Sequence, residues 1–143
     1  MSANPRRMES GTFRRGRVLV VENEALEGRR LGETIIEHEF VPVCSGGFAM
    51  ALIAMGRRYD VILCEVMLRD MTGVELLSHL WRDHPGQGQR LVFMTRQQVS
   101  PVLQYLLDAV PNLCFEAPVD VDGLRALIER RTRSSRAAPL TQC

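Results

Sequence analysis

The sequence contains no lysine, since all 18 of its basic residues are arginine. Any site in this chain must therefore work without an ammonium group. The sequence also lacks an apolar run approaching the ~18 residues of a membrane span, and its first residues include no apolar stretch of the kind that directs secretion. We therefore expect a cytoplasmic protein that makes no use of a membrane.

Cysteine is present but shows no paired motif. The four cysteines are Cys44, Cys64, Cys114 and Cys143, and no two of them form a CxxC pair. The first three lie in predicted strands. This spacing argues against the common zinc and redox motifs and favours buried free thiols in a reducing compartment.

Charge is distributed unevenly along the chain, although the formal net charge is only +1. Residues 1–17 hold five arginines against one glutamate, and residues 129–143 hold four arginines against one glutamate. We interpret residues 1–16 as a flexible arginine-rich arm and residues 133–143 as a disordered tail, because both are polar and lack periodicity. Basic ends can also bind nucleic acid, but solvation of two frayed ends is the simpler interpretation.

Between these ends, apolar strands alternate with amphipathic helices over residues 17–132. A chain of 143 residues has room for one core of this kind. The pattern predicts strands at 17–21, 41–44, 60–65, 91–94 and 112–115, and helices at 25–38, 48–56, 73–81, 101–110 and from about 120 onward. In the fourth helix, we expect Val102, Leu103, Leu106 and Val110 to face inward. This order requires parallel strands joined by right-handed crossovers, which is a doubly wound α/β domain.

The most informative segment is residues 60–73, DVILCEVMLRDMTG. Its apolar run is typical of a strand covered on both faces, and the run ends at Glu65, where open α/β sheets carry their sites. The segment resembles the middle of response-regulator receiver domains, in which a strand of the type DVILLD ends on the phosphate-accepting aspartate and the next turn reads MP-x-M-x-G. The resemblance covers about residues 17–132. It implies the flavodoxin-like receiver fold, with strand order 2-1-3-4-5 and the strand containing Pro42 at an edge, where proline is tolerated.

Receiver chemistry transfers a phosphoryl group to an aspartate, and the resemblance places its parts on this chain. The acidic pair that holds Mg²⁺ matches Glu22 and Asn23, and the acceptor matches Glu65. The reporting hydroxyl is retained as Thr95, whereas the lysine position is Ala117. Asn23 offers a neutral amide in place of a carboxylate ligand, so we expect Mg²⁺ binding to be weak or absent and no other cofactor.

These departures predict a degenerate phosphorylation pocket that is not switched by phosphate, formed by Glu22, Asn23, Glu65, Met67, Thr95, Arg96 and Ala117. Glu65 would reach outward by one methylene and accept a hydrogen bond from Thr95, in partial imitation of a phosphate. Two close carboxylates, Glu22 and Glu65, cannot both ionise cheaply without a cation. Arg96 is the candidate cation for pairing with Glu65, and Arg69 is the reserve.

We expect this module to be non-enzymatic and to act in two-component-type signalling by binding a protein partner, either a signalling kinase or an output protein. The family's partner surface is formed by the fourth helix, the fifth strand and the fifth helix, and the same face can join two copies of a chain. Its outward positions are predicted to be Gln104, Tyr105, Leu107, Asp108, Cys114, Arg125 and Glu129. Cys114 replaces the aromatic residue that moves with the hydroxyl in many receivers.

Three alternatives stay open at the level of sequence. A phosphorelay receiver could use an unconventional acceptor such as Asp70. A flavodoxin-like enzyme or cofactor carrier would need a Gly/Ser/Thr-rich loop after the first strand, but residues 22–25, Glu-Asn-Glu-Ala, are anionic there. Nucleic-acid binding through the arginine-rich ends would fall steeply with salt.

Overall fold

Five parallel strands form a sheet that helices cover on both faces. The computed structural model describes residues 13–96 and 98–141, with side chains described as far as residue 133. The strands are β1 (Arg17–Val21), β2 (Glu39–Val43), β3 (Val61–Glu65), β4 (Leu91–Thr95) and β5 (Cys114–Glu116). The helices are α1 (Leu26–Thr34), α2 (Gly46–Ala54), α3 (Gly73–Asp83), α4 (Pro101–Asp108) and α5 (Val121–Thr141), and a one-turn helix, Pro85–Gly88, follows α3.

The strand order is β2-β1-β3-β4-β5, and every pairing is parallel. This confirms the fold predicted from the sequence. Strand β3 lies in the middle of the sheet and is buried along its whole length, as its unbroken apolar run requires. Pro42 lies in the edge strand β2, where its missing N–H leaves no interior hydrogen bond unmade.

Each face of the sheet carries its own apolar core. On one face, α2, α3 and α4 pack against alternate strand residues such as Leu19, Ile62 and Phe93. On the other face, α1 and α5 pack against the intervening residues, such as Val20 and Leu63. Alternation of side chains along each strand therefore divides the apolar residues between two layers of helices.

The predicted arm is packed at its carboxyl end. The Gly16 N–H donates to Nδ1 of His38 at 2.8 Å, and the Phe13 ring stacks on the His38 ring with centroids 5.9 Å apart. A Cβ atom at residue 16 would lie 2.6 Å from Cγ2 of Ile128, so this close approach needs glycine. Residues 13–16, predicted to belong to the flexible arm, therefore include two residues that pack on the domain. The rest of the arm, residues 1–12, lies outside the described residues.

The predicted disordered tail also differs from the structure, because α5 continues as far as Thr141. Residues 133–138 include neither glycine nor proline, so the local sequence does not stop the helix at Arg133. The last two residues lie outside the described part of the chain. No helix among the described residues is both long enough and apolar enough to cross a membrane.

Helix α4 is rotated relative to the prediction. Leu107, predicted to face outward, is buried at 8% exposure, as is Leu103, whereas Val102 and Leu106, predicted to face inward, are 71% and 41% exposed. The helix carries apolar residues on two adjacent stripes, 102/106 and 103/107, and each stripe has the i, i+4 spacing of a buried face. Periodicity therefore could not show which stripe faces the core. In the folded domain the stripe formed by Leu103 and Leu107 packs against the sheet.

The cysteine prediction was correct for only one of the described thiols. Cys64 is buried in β3, and burial raises its pKa, which keeps the thiol protonated and unreactive. Cys44 and Cys114 are exposed and free, since Cys44 follows the end of β2 and Cys114 begins the edge strand β5. Cys143 lies outside the described residues.

The corrected orientation of α4 predicts a large difference between two neighbouring leucines. Leu107→Ala should lower the free energy of unfolding by about 2–4 kcal/mol, because it leaves a cavity in the core. Leu106→Ala should change it by less than about 1 kcal/mol, because that side chain already contacts solvent. Urea denaturation of both variants checks this, and equal losses would contradict the orientation described here.

His38 predicts a loss of stability in mild acid. Burial lowers its pKa below the ordinary 6.5, so the unfolded chain binds a proton at a higher pH than the folded chain does. Stability should therefore fall as the pH drops below about 6.5. His38→Asn keeps an acceptor for the Gly16 N–H but does not titrate, so its free energy of unfolding should decline less between about pH 7 and pH 5. If the free energies of unfolding of the two proteins declined equally with falling pH, His38 would not be the cause of the acid sensitivity.

Candidate functional site at the carboxyl ends of the strands

The predicted pocket lies where three neighbouring strands end. Glu22 follows β1, Glu65 ends β3 and Thr95 ends β4. These strands are adjacent and parallel, so their carboxyl ends meet at one edge of the sheet. The topology therefore brings together side chains that are 30 to 73 residues apart in the sequence.

Glu22 is fully buried, and its carboxylate closes the start of α1. Its oxygens accept hydrogen bonds from the N–H groups of Glu27 at 3.2 Å and Gly28 at 2.7 Å, both in the first turn of that helix, where a negative charge is favoured. A Cβ atom at Gly28 would lie 3.3 Å from the Glu22 carboxylate. Burial raises the pKa of Glu22, although the two amides and the Arg96 guanidinium act in the opposite direction.

Arg96 bridges the two carboxylates of the pocket. Its Nε atom lies 3.4 Å from Oε2 of Glu65, and its Nη2 atom donates to Oε1 of Glu22. The ion pair predicted between Arg96 and Glu65 is therefore present. The contact with Glu22 was not foreseen, although the same need for a counter-charge points to it. Glu22 is 0% and Glu65 8% exposed, so both carboxylates receive a cation that belongs to the chain itself.

Asn23 joins the first strand to the loop after β3. Its side-chain N–H donates to the Met67 carbonyl at 2.9 Å, its side-chain oxygen accepts from the Arg69 N–H at 2.8 Å, and its backbone N–H donates to Glu65 Oε1 at 3.0 Å. An aspartate could accept the second bond but could not donate the first. The sequence analysis predicted only that Asn23 is a weakened metal ligand and missed that it holds the loop after β3. The signal in the sequence is that residue 23 is an asparagine where the family has an acidic residue.

The oxygens that a receiver would offer to Mg²⁺ are already engaged. Glu22 accepts two backbone N–H groups and contacts Arg96, Glu65 accepts from Asn23 and pairs with Arg96, and the Met67 carbonyl accepts from the Asn23 amide. The guanidinium also brings positive charge to the place where a metal would supply it. A cation that demands six well-ordered oxygens does not fit this donor set.

Thr95 and Ala117 complete the pocket without replacing the missing lysine. Among the described residues, no hydrogen bond joins Thr95 to Glu65, so the predicted contact is absent. Burial raises the pKa of the Cys114 thiol, and the nearby Thr95 side chain acts in the opposite direction. The Thr95 carbonyl accepts from the Ala117 N–H at 2.8 Å. The cleft beside Thr95 and Glu65 leaves about 10 Å³ for the centres of water-sized molecules, which is room for about one water.

Asp70 has a structural role that opposes its use as a phosphate acceptor. Its two oxygens accept from the N–H groups of Gly46 at 3.1 Å and Gly47 at 2.9 Å, at the start of α2. The bond from Gly47 is the largest influence that lowers the pKa of Asp70. Arg69, the reserve partner, pairs with Glu24 at 3.4 Å on the surface instead of entering the pocket.

Five of the seven residues predicted for the partner surface are exposed. Tyr105 is 74% exposed, and Gln104, Asp108, Cys114 and Glu129 are also exposed. Leu107 is buried and therefore does not belong to the exposed face. Arg125 is half-buried and pairs with Glu37, which lies between α1 and β2.

An apolar groove lies between α3 and α4, next to the exposed stripe of α4. The groove has a volume of about 440 Å³ and includes Met67, Val74, Val102 and Leu106 in its walls. Met67 is 45% exposed and belongs to the loop that Asn23 holds. The groove and the pocket therefore share one segment of backbone.

Solved structures of receiver domains share this architecture. The receiver domain of an HD domain-containing protein from Pseudomonas fluorescens has a TM-score of 0.70 at 17% identity, covering 87% of this chain and 99% of that one. A CheY-like receiver domain protein from Methanospirillum hungatei has a TM-score of 0.68 at 21% identity, covering 87% and 99%. A Francisella response-regulator receiver domain has a TM-score of 0.66 at 17% identity, covering 84% and 98%.

The fold is the receiver fold. No protein-family model and no curated protein matches the sequence. The receiver fold explains why the pocket lies at the carboxyl edge of the sheet, since ligands of open α/β sheets bind there. The chemistry of the pocket depends on this chain's own side chains.

Removal of Arg96 should expose the cost of two buried carboxylates. Arg96→Met should lower the free energy of unfolding by about 2–3 kcal/mol near pH 7.5, because Glu22 and Glu65 lose their shared cation. The deficit should shrink near pH 5. Burial already raises the pKa of Glu22, and loss of the guanidinium should raise it further. As the pH falls, the folded protein therefore binds a proton at Glu22 at a higher pH than the unfolded chain does, which stabilises the folded state.

Two variants separate this effect from simple loss of an arginine. Arg69→Met removes an ion pair whose side chains are 72% and 65% exposed and should cost less than about 0.5 kcal/mol. Adding Glu65→Gln to Arg96→Met should recover part of the lost stability. Equal losses for the two single variants, measured by urea denaturation, would contradict the bridging role.

Proposed function

We propose that this chain is an atypical receiver domain of two-component-type signalling that acts as a phosphorylation-independent protein-interaction module. Its partner is a signalling kinase or an output protein, and it acts in the cytoplasm. In this role the domain catalyses no reaction and requires no metal or cofactor.

The observation that carries this proposal is the Arg96 bridge between Glu22 and Glu65. A receiver pocket needs enough positive charge to hold its carboxylates and an arriving phosphoryl group together. Here one guanidinium faces two carboxylates, and the lysine position is Ala117. A phosphoryl group would add further negative charge that nothing nearby offsets. The pocket therefore supports a fixed arrangement in which an internal arginine takes the place of external cations.

Glu65 itself also opposes acceptance of phosphate. One of its oxygens accepts the Asn23 N–H at 3.0 Å, and the other pairs with Arg96. Attack on a phosphate donor requires a free carboxylate oxygen, whereas both oxygens of Glu65 already have partners. The carboxylate thus acts as a built-in negative charge that holds the loop after β3 in one position.

The exposed side of α4 and the adjacent groove support partner binding. Val102, Tyr105 and Leu106 project from α4, and tyrosine is among the residues that contribute most of the binding energy at protein interfaces. The groove is large enough to accept a side chain or a short segment of a partner. Because Asn23 bonds to the backbone of Met67, the locked pocket keeps this wall of the groove in a single arrangement. A second copy of the chain is an alternative occupant of the same face.

Phosphorylation independence predicts no adduct under conditions that label ordinary receivers. Incubation with Mg²⁺ and acetyl phosphate should leave the mass of the protein unchanged, because the pocket offers neither a free acceptor nor a counter-charge. Mg²⁺ with beryllofluoride should likewise leave the amide chemical shifts of Thr95 and Glu65 unmoved. Intact-mass spectrometry and amide NMR provide the two measurements.

A restored variant shows that the assay can detect phosphorylation. It combines Asn23→Asp, Glu65→Asp, Arg96→Ala and Ala117→Lys, which together return the family's pattern, and its amide spectrum establishes that it is folded. This variant should gain the mass of one phosphoryl group. An adduct on the unmodified protein would reject the proposal, and its loss in Asp70→Asn would assign phosphorelay to Asp70 instead.

A further inference from the structure

A second cavity opens at the opposite edge of the sheet, at the amino ends of β1, β3 and β4. It has a volume of about 520 Å³ and is bounded by residues that directly precede or begin these strands, among them Arg17, Asp60 and Arg90. The one-turn helix Pro85–Gly88 forms another wall. This volume lies within the range of small-molecule sites in proteins, and nothing in the receiver-like pocket accounts for it.

Positive charge predominates around this cavity. Four arginines line it, namely Arg14, Arg17, Arg58 and Arg90, against two carboxylates, Asp60 and Asp83. In a chain with a formal net charge of only +1, this is a local concentration of guanidinium groups. Such groups form paired, charge-assisted hydrogen bonds with phosphate and carboxylate oxygens.

Both carboxylates have partners within the protein. Asp60 is 5% exposed; it accepts the Arg17 N–H at 2.8 Å and lies 3.5 Å from the Arg14 guanidinium. Asp83 forms an ion pair with Arg82, whose Nε atom lies 3.1 Å from Oδ1 of Asp83. Arg82 does not line the cavity. Two of the four arginines are also paired, Arg14 with Asp60 and Arg17 with Glu39 at 3.1 Å. Four arginines against two aspartates still leave the lining with a formal excess of two positive charges.

The walls of the cavity are held in place by buried hydrogen bonds. Gln87, which is 6% exposed, accepts from the Tyr59 N–H at 2.9 Å and donates to the Tyr59 carbonyl at 3.2 Å. The Arg17 guanidinium lies over the Tyr59 ring, 5.4 Å from its centroid, and the Arg131 side chain donates to the Arg90 carbonyl at 2.9 Å. Such pre-organisation lowers the entropy that a ligand must lose on binding.

We propose that this cavity binds a small phosphate-bearing anion. The excess positive charge matches a ligand with at least two negative charges, and the fork geometry of several arginines suits the oxygens of a phosphate or pyrophosphate group. Binding would connect the segment before β1, through Arg14, to the loop before β3, through Arg58. The ligand would supply an input to the domain that does not pass through Glu65.

Arg58 offers a clean test because it is exposed and has no hydrogen bond or ion pair among the described residues. Arg58→Ser should therefore leave the fold intact. Its neighbour Arg57 is also exposed but does not line the cavity, so Arg57→Ser makes the same change of charge one residue away. Inorganic pyrophosphate is the probe, titrated into the full chain at constant ionic strength by calorimetry and amide NMR, with malonate as a carboxylate comparison.

Pyrophosphate should bind saturably and shift the amide signals of Tyr59, Asp60 and Gln87 without moving those of Thr95 and Glu65. Arg58→Ser should weaken binding about tenfold, the loss expected for one charge-assisted contact, whereas Arg57→Ser should change it less than about twofold. Equal weakening by the two variants, or shifts that cluster at the carboxyl edge, would overturn the site. Malonate binding as tightly as pyrophosphate would overturn the assignment to phosphate.

Discussion

Two carboxylates buried at one sheet edge constrain the rest of this structure. Glu22 has no exposed surface and Glu65 has almost none, and the loss of water around charged groups is costly unless partners replace it. Arg96 contacts both, and the first turn of α1 donates two backbone N–H groups to Glu22. The position of the loop after β4, the start of α1 and the end of β3 all follow from satisfying these charges. An arginine suits this task because one planar group can reach two acceptors.

The same requirement connects the pocket to the surface. Glu65 accepts the Asn23 N–H, and the Asn23 side chain then bonds to the loop that carries Met67 and Arg69. A change at the carboxylates would therefore alter hydrogen bonds that hold one wall of the α3–α4 groove. Under the proposed function, the internal ion pair between Arg96 and the two carboxylates holds this edge in a single state. The sheet separates this edge from the arginine-lined cavity at the amino ends of the strands, so the two edges of the sheet differ in charge and in the side chains they present.

The architecture could be predicted because buried parallel strands have a distinctive sequence pattern. Unbroken apolar runs such as Val61–Glu65 occur where helices cover both faces of a strand, and alternation with amphipathic segments requires crossover connections. The need for a cation between Glu22 and Glu65 was also predictable, since two neighbouring carboxylates in a pocket without lysine require some other counter-charge. Where patterns were ambiguous, as for the adjacent stripes Val102/Leu106 and Leu103/Leu107, the prediction for α4 was wrong.

The sequence by itself determined the order of strands and helices, and that Glu22, Glu65 and Thr95 lie at or next to the carboxyl ends of buried strands, because these features depend on local periodicity and composition. Only the tertiary structure decided which of Arg96 and Arg69 enters the pocket, that Asn23 holds the loop after β3, and that Phe13 and Gly16 pack on His38. These contacts join residues 22 to 74 positions apart. They depend on how loops are placed once the sheet has formed, and hydrogen-bond geometry over such separations leaves no periodic signal in the chain.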